Sequence, residues 1–274
     1  MNTEDYFISL FEKKSNCIGD DGCIKGDFVY SKDAFFENVH FKRTWMSAYE
    51  IAYKAMAVNI SDAISMNAAP LYALLAVAIP KSLSRQEIQS LYEGFQSAAD
   101  EYGIEIIGGD TIANSKLDIT VTIISKTKSP LFRKGIKVGD YIAYTGDLGR
   151  SSRDLKRLLR GFNVNSGSRF IKPTLRSKFI FESAKCLSAG MDISDGLFRE
   201  LNRLSKINRV GFEIYSDLNS REKCSGEEYE MLIAIPPKHL RRVQNIAAKN
   251  RVPLNVFARA KRGKFMKNCK ANHF

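Results

Sequence analysis

Seven aspartates, Asp20, Asp21, Asp33, Asp62, Asp110, Asp192 and Asp195, lie at or near the ends of apolar stretches in a chain whose net charge is +12. They fall in "CIGDDG" (17–22), "VYSKDAFF" (29–36), "AVNISDA" (57–63), "IEIIGGDT" (104–111) and "GMDISDGL" (190–197). Two carboxylates about 4 Å apart repel by roughly 4 kcal/mol at an effective dielectric near 20, so a convergent set needs protons or a cation. A hard divalent ion with oxygen ligands meets that need, and Mg²⁺ in particular takes phosphate oxygens as further ligands. The set therefore points to a metal–nucleotide site. One Asp beside Gly or Ser is an ordinary turn or helix cap; the set is more specific than its members.

The familiar nucleotide loops are missing. Neither GxxxxGK[ST] nor GxGxxG occurs, and the protein-kinase catalytic sequences are absent. "GGDT" (108–111) is the remaining phosphate cradle, because two glycines let backbone N–H groups approach closely.

Helices and strands must hold these residues. "SAYEIAYKAM" and "SRQEIQSLYEGFQSAADEYG" each open with Ser and carry Glu three residues on, the pattern of a capping box at Ser47 and Ser84. In the second, Tyr92 and Phe95 share an apolar face, which places both in a core, and Gly103 suits the stop. "LDITVTII" (117–124) alternates as a strand does, and 104–107 and 141–145 fit the same class. Further strands are expected at 210–215, 231–235 and 254–258, with helices near 152–160, 177–188, 197–207 and 238–249. "APLYALLAVAIP" (69–80) is too short to span a bilayer and reads as a buried strand. Strands mixed with helices indicate α/β or α+β. The Pro-, Gly- and Lys-containing segment 127–139 marks a boundary between two halves.

With 274 residues, 44% hydrophobic and 26% charged, the chain reads as globular and large enough for a real core. The opening carries early acids and no secretory pattern. Five cysteines without CxxC pairing argue against zinc and redox motifs and fit a reducing cytoplasm. The positive charge suits phosphorylated ligands. Aromatics do not alternate with basic residues in the last third, so nucleic acid is not the expected partner.

"IGDDGCI", "FFENVHF", "YKAMAVNISDAISMNAAP", "IIGGDT", "FRKGIKVGDYIAYTGDLG", "MDISDGL" and "GEEYEML" occur in this order. Together they closely resemble the thiamine-monophosphate kinases, relatives of aminoimidazole ribonucleotide synthetase. The resemblance implies an α+β / α/β, two-domain aminoimidazole ribonucleotide synthetase-like fold. Residues 1–135 would form an N-terminal ATP- and Mg²⁺-binding domain whose mixed sheet makes a homodimer interface, and 136–274 an α/β domain. It implies direct in-line transfer from ATP to thiamine monophosphate with Mg²⁺; the alternatives are another ATP-dependent synthetase or maturation enzyme of the same superfamily, or a degenerate, non-enzymatic basic binding protein. Metal positions would be Asp21, Ser31, Asp33, Asp62, Asp110, Asp192 and Asp195, with Lys32 standing where the family carries Thr, its ammonium either taking the place of one ion or weakening its binding. Gly109, Asp110, Arg133 and Ser194 match ATP positions; His40 and Glu227 match substrate positions. Asp110, Asp192, Asp195 and Arg133 would carry catalysis. Glu228 departs from the family's Asp, and Ala271 stands where an aromatic is expected.

Overall fold

The computed structural model describes residues 3–12, 18–267 and 269. Cys17 and Ala271 lie outside the described residues. The first half runs α1 (Thr3–Glu12), β1 (Cys23–Lys25), β2 (Phe28–Phe36), α2 (Ala48–Ser65), β3 (Ala69–Pro80), α3 (Arg85–Tyr102), β4 (Glu105–Asn114) and β5 (Asp118–Lys126). The second runs β6 (Tyr141–Thr145), α4 (Arg150–Leu159), α5 (Ser177–Ser183), β7 (Ala189–Asp192), α6 (Leu197–Asn208), β8 (Gly211–Ile214), α7 (Ser220–Cys224), β9 (Met231–Ile235), α8 (Leu240–Lys249) and β10 (Leu254–Lys261).

Both capping boxes form. Ser47 and Ser84 accept from the backbone N–H groups of Glu50 and Glu87, and each Glu side chain reaches back to its cap. Gly103 ends α3 in a left-handed conformation, φ 67°. Helix α2 runs on past the expected stretch to Ser65 and carries Asp62 inside it.

The first sheet has the order β1-β2-β5-β3-β4 and is mixed: β3 and β4 are parallel, joined through α3, and the other ladders are antiparallel. The second has the order β7-β9-β6-β10-β8 with antiparallel ladders. No helix or strand occupies 127–140. An apolar cluster joins the two halves: Phe35, Ile51, Met56 and Ile119 belong to it, and so do Phe170, Ile180, Ile233 and Val252.

Three expectations change. Strand β3 is not buried on both faces, since Tyr72 and Leu74 are each 37% exposed. The same face continues on β4 with exposed Ile112, and no described residue covers it. Tyr92 is exposed and only Phe95 joins the core, because the α3 stripe that packs on α2 is narrower than its apolar pattern. The cysteines are not five thiols: Cys224 is joined to Cys269, Cys23 is also disulfide-bonded, and Cys186 is a buried thiol. Cys224 and Cys269 are 45 residues apart, so only the tertiary fold brings their Cα atoms to 5.5 Å.

Candidate active site

The carboxylates meet in front of α2. Asp21 precedes β1, Asp62 sits in the last turns of α2, and Asp192 ends β7; one oxygen from each lies within 4.8 Å of the others. Asp33 joins them from β2, where Ser31, Asp33 and Phe35 face inward and Lys32 faces the other way. Two serines of α2 anchor the cluster. Ser61 Oγ donates to Asp192 at 2.6 Å and Ser65 Oγ to Asp21 at 2.5 Å. Asn59 accepts from the Asp33 N–H at 2.7 Å through its side chain and from Ser31 Oγ at 3.3 Å through its carbonyl.

Burial and mutual repulsion leave this cluster short of positive charge. Burial, then the Asp21 and Asp195 charges, push Asp33 up to about 6. Burial and the neighbouring Asp33 and Asp192 charges hold Asp62 well above the usual carboxylate range; burial and Asp21 do the same for Asp192. Arg133 offsets part of this through an ion pair to Asp21, with Nε at 3.1 Å, while its N–H donates to Asp20 at 2.7 Å. The donors are all hard oxygens, and protons or a divalent ion would relieve their repulsion. The residues present therefore fit Mg²⁺.

These side chains line a cavity of about 670 Å³ that also takes in Lys32, Ser194 and Asp195. Lys32, on the opposite face of β2 from Asp33, hydrogen-bonds Thr120 at 3.1 Å and Thr122 at 3.4 Å, and its ammonium has no lone pair to offer a metal. Asp195 is bound to Arg203 at 2.6 Å and lies 3.6 Å from Arg199, both on α6.

A second cavity, about 330 Å³, opens beside the first and is walled by Trp45, Leu155, Leu159 and Phe170. His40 and Glu227 line both cavities. His40 Nδ1 accepts from the Phe36 N–H at 2.9 Å, which assigns the ring proton to Nε2. Glu227 has a left-handed backbone, φ 54°, and its N–H donates to the Ser194 carbonyl at 2.6 Å. Its carboxylate is fixed by Lys54 at 2.9 Å. Lys54 is wholly buried, with its ammonium 3.8 Å from the Phe170 ring centre; burial lowers its pKa and Glu227 opposes that.

Two of the residues singled out from the sequence stay apart. Gly109 and Asp110 lie on β4, exposed. Asp33, Val121, Leu75 and Gly109 form one row across the sheet. Gly109 is thus three strands from Asp33, about 14 Å along the sheet at roughly 4.8 Å per strand. The glycine is required there, because a Cβ would fall 1.6 Å from the Leu75 carbonyl oxygen. Sequence reasoning missed Lys54, Ser61, Ser65, Arg199 and Arg203. A lysine inside "IAYKAMAVNI" was the available signal, since Lys is almost never fully buried without a partner.

A mixed sheet backed by helices, with carboxylates gathered at its inner face, defines a class. Residues 19–127 match the family described as AIR synthase related protein, N-terminal domain. Thiamine-monophosphate kinase of Aquifex aeolicus (strain VF5) is 31% identical over 238 residues, 81% of this chain and 77% of that protein. That of Bacillus subtilis (strain 168) is 35% identical over 202 residues, 68% of this chain and 61% of that protein. The chain belongs to the thiamine-monophosphate kinase family. The structure of AaThiL complexed with AMPPCP and TMP superposes with a TM-score of 0.88 at 25% identity, over 100% of this chain and 99% of that one. The two-domain aminoimidazole ribonucleotide synthetase-like fold is therefore the fold of this chain.

Proposed function

We propose that this protein transfers the γ-phosphoryl group of ATP to thiamine monophosphate, giving thiamine diphosphate and ADP. The observation that carries the reading is the meeting of two unlike cavities at His40 and Glu227. The acidic cavity suits a triphosphate with its metal. The cavity walled by Trp45, Leu155, Leu159 and Phe170 suits the apolar faces of an aromatic ring; Lys42 and Lys54 already lie over Trp45 and Phe170, and Lys54 neutralises Glu227. Their junction is where an acceptor phosphate would meet the γ-phosphate. In the transfer, an oxygen of the acceptor phosphate bonds to the γ-phosphorus as the bond to the ADP oxygen breaks. Such a reaction asks the protein mainly for positioning and charge neutralisation.

Asp21, Asp33, Asp62 and Asp192 would hold Mg²⁺, with Ser31 beside them; bound Mg²⁺ would neutralise phosphate charge. Arg133 and Ser194 would orient the nucleotide. His40 would donate to the acceptor phosphate through Nε2. Asp195, paired with two arginines of α6, would reach a metal only by releasing one of them. A cytoplasmic place of work goes with ATP as co-substrate, although the Cys224–Cys269 disulfide removes the cysteine argument for it. Among the described residues no helix is long and apolar enough to cross a membrane.

A homodimer belongs to the same proposal. The exposed apolar face of β3 and β4 is the surface it would cover. Asp110 is remote from the other carboxylates within one chain, so its role as a metal and ATP residue requires delivery from a second copy across that face.

The test is direct. Purified protein with Mg²⁺, ATP and thiamine monophosphate is expected to yield ADP and thiamine diphosphate in equal amounts. ADP release without thiamine diphosphate, or no turnover with metal in excess, refutes the reading.

A further inference from the structure

Helix α4 has two working faces. Ser151, Ser152, Leu155 and Leu159 look into the aromatic cavity. Arg150, Arg153, Asp154 and Arg157 look the other way, into a separate cavity of about 740 Å³. Arg169 and Arg221 add to its basic wall, so among the described residues five guanidinium groups line it against the single carboxylate of Asp154. It shares no lining residue with the acidic cavity.

Nearby acids leave this charge largely uncompensated. Arg150 pairs with Asp147, but both side chains are at least half exposed, so water screens that pair. Arg169 pairs with Glu230, which Arg176 also engages through two hydrogen bonds; one carboxylate serves two guanidiniums. Among the described residues Arg153 has only Asp154, at 3.5 Å. Among the described residues no carboxylate lies within ion-pair distance of Arg157 or Arg221. Ser168 lines the same cavity, and among the described residues its buried hydroxyl has no hydrogen-bond partner. Asn163 and Asn165 add amides to the wall.

Guanidinium groups with neutral donors between them recognise phosphate oxygens, two at a time. Among the described residues the lining contains no aromatic ring on which a base would stack. The volume is that of a small-molecule site and not of an extended groove. We infer that this cavity is a second anion site that binds a small polyphosphate through its phosphate groups, separately from the metal-dependent site.

Inorganic pyrophosphate is the probe, titrated calorimetrically into the full chain in EDTA. Without metal the acidic cavity repels anions, so the readout belongs to the basic one. The expected result is saturable one-to-one binding with Kd below about 1 mM, weakened about tenfold or more in Arg157→Gln/Arg221→Gln, a difference of about 1.4 kcal/mol. The double variant is expected to keep the wild-type melting temperature and thiamine monophosphate turnover. No saturation up to about 10 mM, or undiminished binding by the variant, overturns the proposal. A single-stranded RNA that binds more tightly than pyrophosphate and displaces it also overturns it, in favour of a nucleic-acid surface.

Discussion

The separation of Asp110 from Asp33, Asp62 and Asp192 makes a quantitative prediction about mixed dimers. Asp110→Asn and Asp192→Asn each remove one carboxylate, and each homodimer is expected to lose about 100-fold or more in kcat. If each site takes Asp192 from one chain and Asp110 from the other, a mixed dimer contains one intact site and one doubly defective site. It should work at about half the wild-type rate per dimer. Random exchange makes about half of all dimers mixed, so a one-to-one mixture should recover about a quarter of wild-type activity. Two affinity tags and sequential purification isolate the mixed species, and release of thiamine diphosphate is the assay. A mixed dimer no more active than its parents refutes delivery across the interface. A fully active Asp110→Asn homodimer removes Asp110 from the chemistry.

Three further outcomes follow from single side chains. Burial pushes Glu228 up to about 7, although its Oε1 accepts from the N–H groups of Gly149 and Ser151. A carboxyl raised in the folded state favours folding below its unfolded value, and that contribution is lost as pH climbs from about 4.5 to 7. At about 1.4 kcal/mol per pH unit, Glu228→Gln should out-stabilise the wild type by on the order of 3 kcal/mol at pH 8 and by little at pH 4; parallel urea-denaturation profiles would contradict this. Lys54→Met leaves Glu227 without its partner and should cost about 3 kcal/mol, part of it recovered in Lys54→Met/Glu227→Gln; equal loss in both variants shows that the pair is not the reason. Trp45→Leu should raise KM for thiamine monophosphate about tenfold with KM for ATP unchanged, and equal changes in both would remove Trp45 from the substrate cavity.

Local rules made much of the frame legible. Ser47 and Ser84 announced their helices because a capping box is a short-range device, and 117–124 showed its alternation because one face of β5 is buried. Asp62 was harder to place. Helix α2 is buried nearly all round, so "AVNISDA" shows no helical stripe and reads as an apolar stretch running into a turn. "GGDT" likewise reads as a loop, whereas its glycines belong to a strand pressed against Leu75. The convergence of Asp21, Asp62 and Asp192 links three distant segments, and no local rule encodes it; the order of whole motifs did. Arg199 and Arg203 stand one and two helical turns beyond Asp195, a spacing that was readable and went unused.

The apolar cluster that unites Phe35 and Ile119 with Phe170, Ile233 and Val252 has a thermodynamic consequence. Severing the chain inside 127–140 would strip both fragments of side chains they need to exclude water. Heating should accordingly produce one calorimetric peak. A ligand gripped only by the α2 carboxylates would shift the melting of β9 and β10 as much as its own surroundings, because the molecule stores its stability jointly.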